Sequence, residues 1–236
     1  MSLNYDNPFV SVIDADADAR QTFIRRTYLH LAAAILAFVA LETVLLQLPG
    51  IENLIGMMTG GFGWLITLVA FIGVSWMADK WAQSSASQSV QYLGLGLYVV
   101  AESVIFLPLL YVAAYRAGDP ALIPMAGVIS GLLFAGLTAT AFMSGTDFSF
   151  LRGALTIGGF VAMGVVVCSI LFGFTLGLVF ASVMILFAGG SILYTTSNIM
   201  HHYRTDQHVA ASLALFSGVM LLLWYVLRIL MGARKS

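Results

Sequence analysis

A stretch of 51 residues that contains no Asp, Glu, Lys or Arg, Gly153–Tyr203, limits the folds that are open to this chain. A helix rises about 1.5 Å per residue and the hydrocarbon core of a bilayer is about 30 Å thick, so one crossing needs about 20 apolar residues. The stretch is therefore long enough for two membrane spans. We place the turn between these two spans near Gly173–Gly177.

The rest of the chain is similarly apolar. Of its 236 residues, 60% are hydrophobic and 9% are charged, whereas about 25% of the residues in a soluble domain are charged. These values predict an all-α polytopic membrane protein, folded as a bundle of seven transmembrane helices. The predicted spans are Thr27–Leu48, Phe62–Ala78, Val90–Ala113, Ala121–Met143, Gly153–Phe172, Leu176–Met200 and Val209–Met231.

Glycine is frequent inside these spans. Gly94 and Gly96 lie in the third span, and Gly127 and Gly131 form a GxxxG pair in the fourth. Small residues allow two helix backbones to approach closely in a bilayer, where dispersion contacts then hold the helices together. The glycines therefore predict close helix packing within the bundle.

The sequence divides into a polar N-terminal tail, residues 1–26, and one transmembrane domain, residues 27–236. Short cytoplasmic loops carry an excess of Lys and Arg. In the predicted topology, most of the Lys and Arg residues lie on the same side of the membrane as the N-terminal tail. They are Arg20, Arg25, Arg26, Lys80, Arg152 and Arg204. We therefore expect the N-terminus to be cytoplasmic. Two alternatives stay open for the basic C-terminus: either the seventh span crosses the bilayer, or the last segment is re-entrant.

Several classes of function are disfavoured by the residues that the chain lacks. A net charge of −1 and the absence of a basic stripe argue against a nucleic-acid partner. The single cysteine, Cys168, cannot form an intrachain disulfide. The sequence has no G-x-S-x-G, HExxH, phosphate-loop or dinucleotide-binding motif. We therefore expect no enzymatic activity, no catalytic residue, no cofactor and no metal site, with the lipid bilayer as the evident partner.

Three charged residues inside the spans are candidates for a cation or proton pathway. Glu102 is almost central in the third span, Glu42 lies in the second half of the first, and Arg228 lies past the middle of the seventh. A carboxylate at membrane depth is costly, so it is expected to face the bundle interior, where intramembrane acids usually have a function. The alternatives are structural: a hydrogen-bonded protonated Glu, and an Arg228 that extends to the lipid headgroups.

Histidines follow the sixth predicted span. His201, His202 and His208 lie close to Asp206 in the sequence, and imidazoles titrate near neutral pH. This group predicts a pH-responsive hinge, with a solvated loop as the alternative. Because His201 and His202 are adjacent, they point to different faces of a helix, which argues against a two-histidine metal site.

Several short stretches, in this order and spacing, resemble the Bax inhibitor-1 family, and in particular its bacterial YccA-like branch. The stretches are Tyr28-Leu29-His30-Leu31, Tyr92-Leu93-Gly94-Leu95, Asp147-Phe148-Ser149-Phe150-Leu151, Ile192–Asn198 and Leu227-Arg228-Ile229-Leu230. The resemblance implies a seven-helix fold in which the other six helices surround the last one. It also implies a pH-sensitive calcium leak in some members and, in bacterial relatives, association with a membrane-bound AAA protease.

The resemblance also implies where a calcium gate would lie. Members that leak calcium resemble one another in two aspartates that share a proton, one at the end of span six and one in span seven. In this chain the two positions fall on Thr195 and Gly218, and neither residue is an acid. The shared-proton gate of those relatives is therefore absent here.

Three hypotheses follow. The first is a non-enzymatic regulator in a bacterial inner membrane that modulates membrane-protein quality control by binding an AAA protease. The second is a pH-dependent leak for Ca²⁺ or another cation, in which Glu102 replaces the missing aspartates. The third is an interaction scaffold whose buried charges only stabilise the bundle. A water-filled cavity that reaches Glu102 favours the second hypothesis, because a leak requires such a cavity and a binding module does not.

Overall fold

The computed structural model describes residues 11–84 and 87–233, and these residues form a bundle of α-helices. Seven of the helices are long and apolar enough to cross a bilayer, which confirms the predicted class. Within the described residues the helices are α1 (Ala17–Leu45), α2 (Ile51–Thr59), α3 (Gly63–Ala82), α4 (Gln88–Tyr111), α5 (Leu122–Ser144), α6 (Leu151–Phe172), α7 (Leu178–His201) and α8 (His208–Ala233).

The first helix begins earlier than the sequence predicts. α1 starts at Ala17, ten residues before the predicted span, so residues 17–26 of the predicted tail are helical. The segment before α1 is also ordered: the Val12 amide donates to the Tyr203 carbonyl oxygen at 2.8 Å, and the Val12 side chain is fully buried. The Arg20 side chain holds this segment by donating to the carbonyl oxygens of Val12 and Ile13. Residues 11–16 are therefore docked against the loop between α7 and α8.

Local chemistry explains several helix ends. The Ser87 hydroxyl caps α4 by accepting from the Val90 amide. Pro108 does not end α4; the helix continues beyond it into a π-helical turn, Val112–Arg116. α5 and α6 end at Gly145 and Gly173, which have φ values of 59° and 71° and supply the left-handed conformation at the helix end.

The last helix lies at the centre of the bundle. α8 packs against α1, α3, α4, α5 and α7, and more than half of its most apolar stretch is buried. α6 is peripheral and packs mainly against α7, with no fully buried residue along its described length. The family resemblance implied that six helices surround α8, and the structure packs five of them closely against it.

α8 runs through the whole bundle. At its beginning the Ser212 hydroxyl donates to the Thr27 carbonyl oxygen in the first half of α1, and near its end Gly232 packs against Leu178 at the start of α7. We call these two sides the N-terminal face and the C-terminal face. Because 26 helical residues span about 39 Å, α8 is long enough for a complete crossing, as the first alternative for the C-terminal segment requires.

Only some of the glycines pack as the sequence predicts. A Cβ at Gly94 would lie 2.5 Å from the Ala78 carbonyl oxygen, so α3 and α4 touch there through their backbones. A Cβ at Gly127 or Gly131 would meet no atom within 4 Å. The GxxxG pair therefore faces outward, and it does not pack two described helices together.

Candidate functional site

A cavity of about 410 Å³, which we call the inner cavity, lies between α3, α4, α6 and α8. Leu68 and Phe71 line it from α3, and Val166 and Ile170 line it from α6. Thr175, in the loop between α6 and α7, closes its end near the C-terminal face. The inner cavity separates the peripheral α6 from the central α8, which explains why these two helices do not pack closely.

Glu102 lines the inner cavity. Its side chain is only 6% exposed, and none of the salt bridges found among the described residues involves it. One turn earlier on α4, the Tyr98 hydroxyl donates to the Ser217 hydroxyl of α8 at 2.9 Å. The Tyr98 ring also packs against Phe71 and Phe216, at 6.3 and 6.1 Å between ring centroids. These rings close the end of the cavity that lies between Glu102 and the N-terminal face of the bundle.

Arg228 lies at the opposite end of the same cavity. Its guanidinium donates to the Leu176 carbonyl oxygen at 3.2 Å. Arg228 and Leu176 also line a second, outer cavity of about 690 Å³, which extends towards Arg116 at the C-terminal face. The structure thus pairs Arg228 with a backbone carbonyl and not with a described carboxylate. Its side chain stands between the outer and the inner cavity.

Glu42 is in a different environment from Glu102. It is 4% exposed, and neither carboxylate oxygen has a hydrogen-bond partner among the described residues. It belongs to the buried face of α1, together with Ala34 and Phe38, and it does not line the inner cavity. Glu42 is therefore buried in helix packing, apart from the cavity that Glu102 lines.

The structure separates the histidine group. His208, the first residue of α8, is buried, and its ring centroid lies 5.1 Å from that of His30 on α1. His201 contacts the Ser197 carbonyl oxygen through Nδ1 at 2.8 Å, and His202 Nε2 lies 3.9 Å from Asp147. His208 is therefore separated from the other two, whereas His201 and His202 stay together near Asp147, with 6.3 Å between their ring centroids.

The acidic residues of this region also have separate partners. Asp206 binds Arg204 through both carboxylate oxygens at 3.0 Å, and this hydrogen bonding raises the pKa of the Arg204 guanidinium. Asp147 accepts a hydrogen bond from the Ser149 amide at 2.9 Å. That bond, with a smaller contribution from nearby His202, lowers the pKa of the Asp147 carboxyl. Within the described residues no three His, Cys, Asp or Glu side chains converge on a metal site.

At Gly218, one of the two positions that match the aspartate pair of the calcium-leak relatives, the packing of a neighbouring helix leaves little room for a side chain. A Cβ at Gly218 would lie 3.1 Å from Cγ1 of Ile192, which is fully buried on α7. Thr195 lies one turn beyond Ile192 and is partly exposed. An acidic side chain at position 218 would therefore displace Ile192 before it could approach residue 195.

The sequence analysis missed the aromatic wall of the inner cavity. The Trp64 ring of α3 stacks on Trp224 of α8 at 6.1 Å, and Phe106 packs edge-on against Trp224 at 5.0 Å. A signal for this wall was present, because Tyr98, Glu102 and Phe106 follow one another at four-residue spacing and so share one helix face. On α8, Trp224 and Arg228 have the same spacing.

Fold and site together define a polytopic α-helical membrane protein with a buried carboxylate in a cavity between its helices. The family model described as "Inhibitor of apoptosis-promoting Bax1" matches residues 20–235. The chain belongs to this family, the Bax inhibitor-1 family, as its motifs predicted.

Two bacterial relatives illustrate the similarity. The uncharacterized protein PA2604 of Pseudomonas aeruginosa is 27% identical over 199 residues, which cover 83% of this chain and 82% of the relative. An uncharacterized membrane protein of Vibrio cholerae serotype O1 is 31% identical over 124 residues, or 52% of this chain and 55% of that protein. The second relative is described as a membrane protein, in agreement with the seven helices of this chain that are long and apolar enough to cross a bilayer.

Proposed function

We propose that this protein provides a pH-dependent pathway for protons or small cations such as Ca²⁺ across a bacterial inner membrane, with Glu102 as its central acid. The observation that supports this proposal most strongly is the inner cavity, which extends from Glu102 to Arg228, a residue that also lines the outer cavity. A titrating carboxylate in such a cavity changes its charge with pH and so changes the electrostatic cost of a cation beside it. The pathway needs no enzymatic step and no cofactor.

The contacts at the two ends of the inner cavity indicate where passage would be controlled. Towards the N-terminal face the rings of Phe71, Tyr98 and Phe216 close the path, so these rings must move before a cation can pass. Towards the C-terminal face the hydrogen bond from Arg228 to Leu176 separates the two cavities, and the guanidinium repels cations. We therefore expect Arg228→Leu to increase cation flux.

Reconstituted liposomes test the pathway. The purified protein is expected to release Ca²⁺ or protons at a rate that depends on pH between mild acid and neutrality, and Glu102→Gln is expected to change that rate. Glu42→Gln is the matched control, because Glu42 is equally buried in a span but does not line the inner cavity. Absence of flux at every pH in this range would refute the pathway. A Glu102→Gln variant with altered stability and unaltered flux would favour a structural scaffold.

We keep the binding of a membrane AAA protease as a second candidate function. It is supported by the docked N-terminal segment, because Ser11 and Val12 are held at the N-terminal face beside Tyr203 and Arg204. The docked segment thus lies at the expected cytoplasmic side, where a cytoplasmic domain of a membrane protease would meet it.

Deletion of residues 2–10 tests this second candidate. The deletion leaves the docked segment and α1 intact, whereas removal of residues 1–20 would also delete the Arg20 contacts. Co-purification with a membrane AAA protease in mild detergent is expected for the full chain, with loss in the deletion variant. If no such protease is recovered with the full chain, the candidate is wrong.

A further inference from the structure

The lining of the inner cavity has an unusual composition for a passage that serves inorganic ions alone. Six aromatic side chains surround one carboxylate, Glu102, within a volume of about 410 Å³. That volume lies in the range of about 300–1,000 Å³ that is common for small-molecule sites. The aromatic residues are Trp64, Phe71, Tyr98, Phe106, Trp224 and Tyr225.

The aromatic rings lie next to the acid. Phe106 follows Glu102 by one turn on the same face of α4. The Phe106 ring meets Trp224 edge-on at 88° between ring planes, and Trp224 in turn stacks on Trp64 at 19°. Tyr98 borders Glu102 on its other side, one turn earlier. Glu102 is thus enclosed by aromatic side chains at both neighbouring turns.

This arrangement of rings around a carboxylate favours one class of ligand, organic cations. Aromatic faces attract organic cations through the ring quadrupole, and this attraction is stronger at desolvated sites. A buried carboxylate supplies the counter-charge, and the apolar wall accommodates the hydrocarbon part of the ligand. Bound Ca²⁺, by contrast, takes six to eight oxygen ligands, and the cavity offers one carboxylate with the hydroxyls of Ser169, Thr175 and Ser217. We propose that the inner cavity is a binding site for a lipophilic organic cation whose charge lies beside Glu102.

The other charge of the cavity fixes the orientation of the ligand. Tyr98 bonds Ser217, and α4 and α8 run in the same direction, so Glu102 lies about level with Leu221. Arg228 is seven residues further along α8, or about 10 Å. The guanidinium therefore disfavours a cation at that end, while its bond to Leu176 keeps it at the cavity boundary. The cationic group binds at the Glu102 end, and the apolar groups extend along the Trp64–Trp224 stack.

The position of α6 gives such a ligand a route from the bilayer. Met163, Val166, Ser169 and Ile170 line the cavity from α6, and this helix has no fully buried residue. α3 and α6, which flank the cavity, pack only loosely against each other. A lipophilic cation that has partitioned into the membrane therefore meets a wall that is one helix thick.

Calorimetric titration of the purified full-length protein with two probes tests the proposal. Tetraphenylphosphonium and tetraphenylborate have nearly the same size and shape and opposite charges. We expect saturable binding of the cation, at least tenfold weaker binding of the anion, and at least a tenfold loss of cation affinity in Glu102→Gln. Glu42→Gln is expected to bind like the unmodified protein, because Glu42 lies outside the cavity. Equal binding of both probes, or unchanged cation binding in Glu102→Gln, would overturn the proposal.

A second variant keeps the proposal testable if the Glu102→Gln protein does not fold. Ser169→Trp adds a large side chain to the cavity from the lipid-facing helix and leaves Glu102 unchanged. It is expected to abolish binding of tetraphenylphosphonium, and retained binding would contradict the proposed location. Binding is measured without an ion gradient, so its failure is distinct from a failure of the pathway, which is judged by liposome flux.

Discussion

The contact between α3 and α4 gives a prediction whose magnitude follows from the structure. A Cβ at Gly94 would lie 2.5 Å from the Ala78 carbonyl oxygen and 2.6 Å from the Ala82 amide nitrogen, whereas ordinary contacts begin near 3.4 Å. In Gly94→Ala, α3 must therefore move by about 0.9 Å, the difference between those distances. Such overpacking costs about 1–3 kcal/mol. Because α3 and α4 both line the inner cavity, the same shift is expected to weaken ligand binding there.

Gly96→Ala is the matched control for this change. Gly96 lies two residues away on the same helix, is exposed, and would meet no atom within 4 Å after substitution. Since both variants replace Gly by Ala in one helix, the propensity gain of about 1 kcal/mol is common to them and cancels in the comparison.

We expect Gly94→Ala to be less stable than Gly96→Ala by about 1–3 kcal/mol, which is about a 5- to 150-fold change in the unfolding constant. Reversible unfolding in mixed detergent micelles, followed by circular dichroism and tryptophan fluorescence, measures the difference. Equal stabilities would show that the two helix backbones do not approach as closely as described, and the reasoning would fail.

Three further predictions concern other contacts. Val12→Asp is expected to release the docked N-terminal segment and increase its proteolysis, whereas Ile13→Asp, at an exposed position, is expected to have little effect. Gly218→Asp is expected to lower the thermal unfolding temperature and to restore no calcium gate; Ile192→Ala in the same chain should recover part of the loss, because it removes the atom that a new side chain would meet. The lowered pKa of Asp147 means that its contribution to stability is complete above the ordinary value of 3.8 and is lost as pH falls through the lower folded value. Asp147→Asn should remove this pH dependence in thermal melts recorded from about pH 5 down to about pH 2, and an unchanged profile would contradict the assignment.

The sequence predicted the membrane spans well because the free energy of transfer from water to lipid depends mainly on the type of each residue. All seven predicted spans correspond to helices of the structure. The start of α1 was missed because Arg20, Arg25 and Arg26 are polar and yet helical, and polar sequence alone does not distinguish a helix outside the membrane from a tail. The short α2 was missed for a related reason, since nine residues are too few to give a membrane signal.

The candidate site was predictable only in part. Glu102 and Glu42 gave the same signal, an acid inside an apolar stretch, and only the structure shows that Glu102 lines the inner cavity. His208 was grouped with His201 and His202 by sequence proximity, but it opens the next helix and packs against His30. His208 is separated from His201 and His202 because the chain turns between the end of α7 and the start of α8, so residues that are close in the sequence enter different environments.

By itself, the sequence determined that this chain crosses a membrane about seven times, carries two acids at membrane depth and has no acid at positions 195 and 218. These properties depend on residue type and position along one helix, so they can be read without knowledge of any neighbour. The tertiary structure alone decided that Gly94 packs while Gly127 does not, and that aromatic side chains from α3, α4 and α8 enclose Glu102. Those properties depend on which faces of distant helices meet, and in a bilayer that choice is made by shape and close packing, since the apolar character of one face differs little from that of another.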